Sequence, residues 1–218
     1  MLRNAQKTQS RLLDAAEKEF AAHGYKGTAI RKIITRARTN ERMIYHYFGS
    51  KELLYRAVLL RRLHQVGTSL SENSQAPVSP DLDPRVSLAE VLRRYFNALT
   101  SQPTLPRLLL HEALDGWKTF VKLDVQAPGD PLAQELVQYI QGAQQAGVFS
   151  PTLDARLCLV TAALMFICYP VSLPRVQLLF REPLHSRERL DWAREQFVEL
   201  LLNGLLARDV PKKAARQS

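Results

Sequence analysis

An all-α fold is what this 218-residue sequence predicts, and three features carry the prediction. Apolar side chains recur at i, i+3 and i+4 in block after block, no segment alternates with the period of a strand, and Pro or Gly separates the blocks. Residues 28–51, TAIRKIITRARTNERMIYHYFGSK, add two short amphipathic helices around a tight turn, dense in Arg, Lys, Tyr and His. The expected architecture is an N-terminal three-helix helix-turn-helix unit followed by a larger helical body.

The first helix is expected over residues 4–23, with Leu12, Leu13, Ala16 and Phe20 on one face and Gly24 placed to stop it. Thr28 is the cap candidate of the second, whose apolar stripe is Ala29, Ile30, Ile33, Ile34 and Ala37 and whose other face carries Arg31, Lys32 and Arg36. After a break at Arg38, Thr39 and Asn40, a third apolar set follows at Met43, Ile44, Tyr47 and Phe48, leaving Arg42, Tyr45 and His46 facing outward. In a helix-turn-helix the first helix braces across phosphates while the second enters the major groove and reads bases from its N-terminal residues, where Arg42 lies. Ser50 is a cap candidate for a fourth helix with Leu54, Val58, Leu59 and Leu63 as its apolar face, reaching about Val66.

Residues 67–84, rich in Ser, Pro and Asp without periodicity, are expected to form a long exposed loop or a partly disordered segment. Helical blocks follow near 87–100, 104–123, 131–146, 154–169 and 187–207, separated at Pro103, Pro128, Gly129, Gly147, Pro151, Pro170 and Pro183. The domain division expected is residues 1–50 for the helix-turn-helix, 51–207 for the body and 208–218 for a disordered basic tail.

Charge is segregated along the chain. Residues 1–62 hold 14 Lys/Arg against 5 Asp/Glu, while residues 63–218 hold 16 against 16, so the whole net charge of +9 lies on the helix-turn-helix segment. Phosphate neutralisation and counterion release require that distribution, and a merely solvated surface gives no reason for it. Cys158 and Cys168 are ten residues apart in one helical run, about 15 Å along the axis, too far to pair, and no charged-then-apolar signal opens the chain. A reduced, cytoplasmic protein is expected. The apolar run at 157–169 spans 13 residues before Pro170, against the roughly 20 of a membrane-spanning helix, which favours a core or interface helix. Neither a metal, a cofactor nor an enzymatic activity is expected, because HExxH, a His/Cys cluster, a Walker A loop, GxGxxG and GxSxG are all missing from the sequence.

With Leu12 to Gly24 and Tyr25, then Thr28, Ile33 and Ala37, and above all IYHYFGSKELL from Ile44 to Leu54, the first 60 residues resemble the TetR family of bacterial transcriptional regulators. That resemblance implies DNA contacts at Thr28, Arg42, Met43, Tyr45, His46, Tyr47 and Lys51, and an all-helical body that binds a small ligand and dimerises. Physical chemistry agrees for several of them. Arg42 can reach guanine O6 and N7 in bidentate fashion, Tyr45 can donate to phosphate, and Lys51 opens a helix whose free amides also face phosphate. Tyr47 and Phe48 lie on the apolar side, where core packing is the better reading of their rings. Arg38 stands where the family has glycine at the turn, and Ile34 where it has a small residue. The turn must therefore change conformation or accept the strain of a side chain at positive φ.

In the body, the final helix shows Leu190, Ala193, Phe197, Leu200, Leu201, Gly204 and Leu205 on a broad apolar face. Together with the helix near 155–169 it suggests a four-helix homodimer interface, two helices from each subunit. Two-fold symmetry would match a palindromic operator on double-stranded DNA. His111, Trp117, Phe120, Tyr139 and Tyr169, set among leucines, mark the region where a small apolar ligand is expected. A repressor released by an apolar inducer is the leading reading, and an architectural or partner-controlled DNA-binding protein without inducer is the alternative.

Overall fold

The computed structural model describes residues 2–71, 83–123, 129–181 and 187–206. Its helices are α1 (Leu2–Gly27), α2 (Ile30–Ala37), α3 (Glu41–Phe48), α4 (Lys51–Ser71), α5 (Pro84–Thr100), α6 (Thr104–Leu114), α7 (Gly129–Gln145), α8 (Ala155–Phe180) and α9 (Arg187–Leu205), with a 3-10 turn at Phe120–Lys122. The fold is all-α: among the described residues the one β feature is an isolated bridge between Phe149 and Leu206.

Two apolar cores organise these helices. The first gathers Leu12, Ala16 and Phe20 of α1, Ile33 and Ala37 of α2, Ile44 of α3 and Leu54, Tyr55, Val58 and Leu59 of α4. The second gathers Leu88, Leu92, Phe96 and Leu99 of α5 with Ile140, Phe149, Phe166, Ile167, Val198 and Leu205. Helix α6 belongs to both, since Leu108 packs in the first core while Leu105 and Leu109 pack in the second. Leu105 and Leu109, four residues apart, share one face, and the single-residue step back to Leu108 turns its side chain by about 100° to the other flank. Head and body therefore share α6 as a common wall.

Gly24 breaks α1 internally, with φ 66 and ψ 178. An added Cβ would lie 2.9 Å from His111 Nδ1, so the backbone of α1 approaches α6 as closely as only glycine allows. Ser50 caps α4 as the sequence suggests, its Oγ accepting from Leu53 N at 3.1 Å.

Several expectations are corrected. Thr28 does not cap α2: Ala29 holds the N-cap position without a side-chain bond, and the Thr28 hydroxyl turns back to donate to the carbonyls of Gly24 (2.7 Å) and Glu19 (3.0 Å). Helix α4 continues past Val66 to Ser71, and α5 begins at Pro84 behind an Asp83 cap, so both ends of the expected 67–84 loop are helical; 72–82 lies outside the described residues. Proline at the first helical turn lacks only an N–H that would have no helical partner, which is why Pro84 starts a helix rather than closing a loop. The 104–123 block divides after Leu114, at Gly116 with φ 74. Gly129 opens α7 instead of separating helices.

Helix α8 runs through Pro170 and Pro174 to Phe180, 26 residues in place of the 13 counted from sequence. Among the described residues it is the one helix long and apolar enough to cross a membrane, and its inner face is already occupied, with Ala162, Phe166, Ile167 and Leu173 buried in the body. The proposed tail at 208–218 lies outside the described residues.

Candidate nucleic-acid interface

The head presents α3 on a short, well-defined turn. Asn40 caps α3, its side chain accepting from Met43 N at 3.3 Å, and Gly49 ends it at φ 79. Arg38 adopts the left-handed conformation, φ 48 and ψ 54, its N–H donating to the carbonyls of Ile34 and Thr35. The turn thus keeps a left-handed geometry and accepts a strain of about 1 kcal/mol for a side chain there. Ile34 packs against the head core from a half-buried position.

On the outer face of α3, Arg42 and His46 are exposed, and Arg42 forms no ion pair among the described residues. Tyr45 is 49% exposed and donates to Glu41 Oε1 at 3.2 Å, which pushes its phenol up in pKa. Met43 and Tyr47 are half-buried against the head core, and the Tyr47 ring stands between those of His46 (4.9 Å) and Phe48 (6.5 Å). Lys51 Nζ lies 4.5 Å above the Tyr25 ring, and partial burial lowers its pKa. Arg31 and Lys32 of α2 are exposed beside this face. Arg36 is tied back to Glu19 of α1 at 2.7 Å, so it braces the head rather than standing free. Thr28, with its hydroxyl consumed, is 2% exposed.

The head is joined to the body by polar contacts that sequence alone did not single out. The Glu17 carboxylate, 4% exposed, accepts from Arg61 Nη2 at 2.6 Å and from Arg62 on α4, and from Thr104 Oγ1 of α6 at 2.5 Å. Burial opposes its ionisation, and the bonds from Thr104, Arg62 and Arg61 outweigh that penalty, holding the carboxyl below its ordinary 4.5. Lys26 pairs with Asp115 at the end of α6. Buried Glu112 accepts from Thr119 N (3.1 Å) and Phe120 N (2.9 Å), pinning the turn after α6 beside Tyr55, whose phenol is pushed up by burial and then by the Glu112 charge.

The five residues expected at a ligand fall into more than one packing group among the described residues. Trp117 and Phe120 meet at 5.3 Å, and His111 lies against Gly24 of α1. Tyr169 belongs to an aromatic group with Phe96 and Phe197, and Tyr139 packs with Val91 and Leu136 in a separate small cluster, its hydroxyl buried without a partner.

An exposed helix α3 beside the basic α2 on a compact three-helix head, followed by residues 63–218 of neutral charge balance, defines a DNA-binding regulator of the helix-turn-helix class. A family model described as bacterial regulatory proteins, tetR family, matches residues 12–58, and one described as tetracyclin repressor-like, C-terminal domain, matches residues 84–201. The chain is 31% identical over 172 residues to the HTH-type transcriptional repressor NicS of Pseudomonas putida, covering 76% of each. It is 28% identical over 153 residues to the HTH-type transcriptional repressor SCO4008 of Streptomyces coelicolor, covering 70% of this chain and 73% of that one. A bacterial regulatory protein in the tetR family from Rhodococcus RHA1 superposes with a TM-score of 0.71 at 20% identity, covering 93% of this chain and 98% of that structure. The chain belongs to the TetR family: it is a DNA-binding transcriptional regulator and not an enzyme.

Proposed function

We propose that this protein is a cytoplasmic homodimeric repressor that reads a palindromic operator and is released from it by an apolar small molecule. The observation that carries the proposal is Arg42, exposed and without an ion pair in the first turn of α3, on the segment that holds the whole basic excess. In this reading Arg42 contacts a base edge, Tyr45, His46 and Lys51 reach phosphate or sugar, and Met43 and Tyr47 touch the groove with their exposed edges. Thr28 contributes through its main chain, because its hydroxyl is spent inside the head. Residues 1–50 are the reading unit, 51–207 the ligand-binding and dimerisation unit, and 208–218 a basic tail.

Dimerisation is supported by apolar side chains that the body leaves outward. Leu157, Val160 and Leu164 follow one flank of α8, and Trp192 and Leu200 face out from α9, each at least half exposed. A stripe of that size on two helices calls for a partner of the same character, and a two-fold axis supplies one. We place the inducer in the body, in the region that His111, Trp117, Phe120, Tyr139 and Tyr169 mark, against one of their packing groups and not all of them, acting through α4 on the spacing of the two reading helices. Such a ligand works only through different affinities for the DNA-bound and released states.

Selection of bound sequences from random duplex DNA at near-physiological salt, followed by salt titration on the winner, tests this reading. A palindromic consensus with half-sites about one helical turn apart is expected. Enrichment of no sequence, with only salt-sensitive binding, would overturn it in favour of an architectural role.

A further inference from the structure

A cleft of about 490 Å³ opens where α1 of the head meets α5, α6 and α8 of the body, and none of the five ligand candidates lines it. Its floor comes from Ala21 and Ala22 of α1, Leu99 at the end of α5, and Pro170, Leu173 and Pro174 of α8. The two alanines contribute little volume, and the two prolines interrupt the hydrogen-bond ladder of α8 at this place. Two cations stand on this apolar surface from different helices, Lys18 one turn before Ala22, and Arg107 one turn after Thr104. Both are exposed, and neither forms an ion pair or side-chain hydrogen bond among the described residues. The hydroxyls in the wall have already given their protons, that of Thr100 to Phe96 O at 2.9 Å and that of Thr104 to Glu17. The donors left for a guest are therefore the two cations.

We propose that this cleft binds an amphipathic monoanion, an aliphatic chain carrying a carboxylate, with the chain on the alanine, leucine and proline floor and the carboxylate between Lys18 and Arg107. Its volume falls within the range of small-molecule sites, and charge at the mouth over an apolar floor selects that chemistry against neutral or cationic guests. The site is also wired to the head. Thr104 is at once a wall of the cleft and a donor to Glu17, which Arg61 and Arg62 of α4 share, so an occupant that displaces the Thr104 wall alters the contact holding α1 to α4 and α6. Binding in the cleft stands independently of the operator reading; its effect on DNA affinity rests on that reading.

Calorimetric titration of the full chain with decanoate, and with 1-decanol as the uncharged control, tests the site. One decanoate per chain is expected to bind, with affinity at least tenfold lower in the Lys18→Met/Arg107→Met double variant, which keeps the apolar stems. Binding of 1-decanol should change less than twofold between the two proteins. Circular dichroism and thermal melting of the variant check that it folds, and Ala22→Leu, which fills the floor, should remove both ligands. Absence of decanoate binding, or equal affinity in the double variant, would overturn the site. So would a drop in DNA affinity of the double variant measured without decanoate, since that would assign the two cations to phosphate.

Discussion

Head and body of this chain are built from the same kind of helix, yet one advertises its partner and the other does not. In the head, the residues proposed to meet DNA come from one stretch of 24, so their chemistry is concentrated in local spacing, and the net charge of +9 is that of residues 1–62. In the body, the apolar and polar groups that could meet a ligand come from α6, the turn after it, α7 and α8, and the charges of residues 63–218 cancel. A duplex is long, uniform and anionic, and a protein meets it with a basic face on one short element. A small molecule is met by side chains brought together by packing, and no spacing along the chain records which ones meet. Glu17, Gly24 and Arg38 test where this contrast holds.

The largest effect is expected at the joint. Glu17→Ala removes the acceptor shared by Arg61, Arg62 and Thr104 and should destabilise the fold by about 2 to 3 kcal/mol in urea unfolding, just below the range for breaking a fully buried pair because both arginines are about a quarter exposed. A loss below about 0.5 kcal/mol would class the contact with surface ion pairs and leave head and body coupled by apolar packing alone. The pH dependence has a definite sign. Since the folded state holds Glu17 below its ordinary 4.5, its contribution is present in full above that value and is lost as pH falls through the lower folded value. The stability difference between the wild type and Glu17→Gln should shrink on acidification below pH 4.5, and a difference that grows there would contradict the assignment.

Next comes Gly24→Ala, which places a Cβ at positive φ and 2.9 Å from the His111 ring. A loss of about 2 kcal/mol in unfolding free energy is expected, part from the left-handed conformation and part from displacing the ring. The smallest effect belongs to the head alone: Arg38→Gly should raise stability by about 0.5 to 1 kcal/mol by relieving the turn, read as a higher Tm. An unchanged or lower Tm would mean that the arginine side chain repays its strain through contacts on α1.

The sequence carried much of the fold for the reason that most of its helices are amphipathic and capped. Ser50, Gly24 and the break at 38–40 each mark a real boundary. Proline misled twice in the body: Pro84 begins a helix, where a missing N–H is harmless in the first turn, and Pro170 continues one that is anchored in the body on one face by Phe166, Ile167 and Leu173. Thr28 looked like a cap, but its hydroxyl found carbonyls of α1 that only the fold brings near. Glu17 and Glu112 gave no local signal at all, since their partners lie 45, 87 and 7 or 8 residues away and are recognised only after α1, α4 and α6 have packed. The exposure of Arg42, Tyr45 and His46 on α3 follows the helical period read from sequence, whereas the separation of Tyr139 and Tyr169 from Trp117 could be seen only in three dimensions.

The measurement that bears most directly on the reading head is affinity for every single-base variant of the selected operator, for wild type and Arg42→Ala, at one fixed salt concentration. If α3 reads bases through Arg42, the substitution should weaken binding to the consensus and flatten preference at one base pair per half-site by about 1 to 3 kcal/mol, leaving the other positions as they were. A uniform loss across all variants, with a shallower salt dependence, would instead place Arg42 on phosphate and contradict its assignment as the base-reading residue.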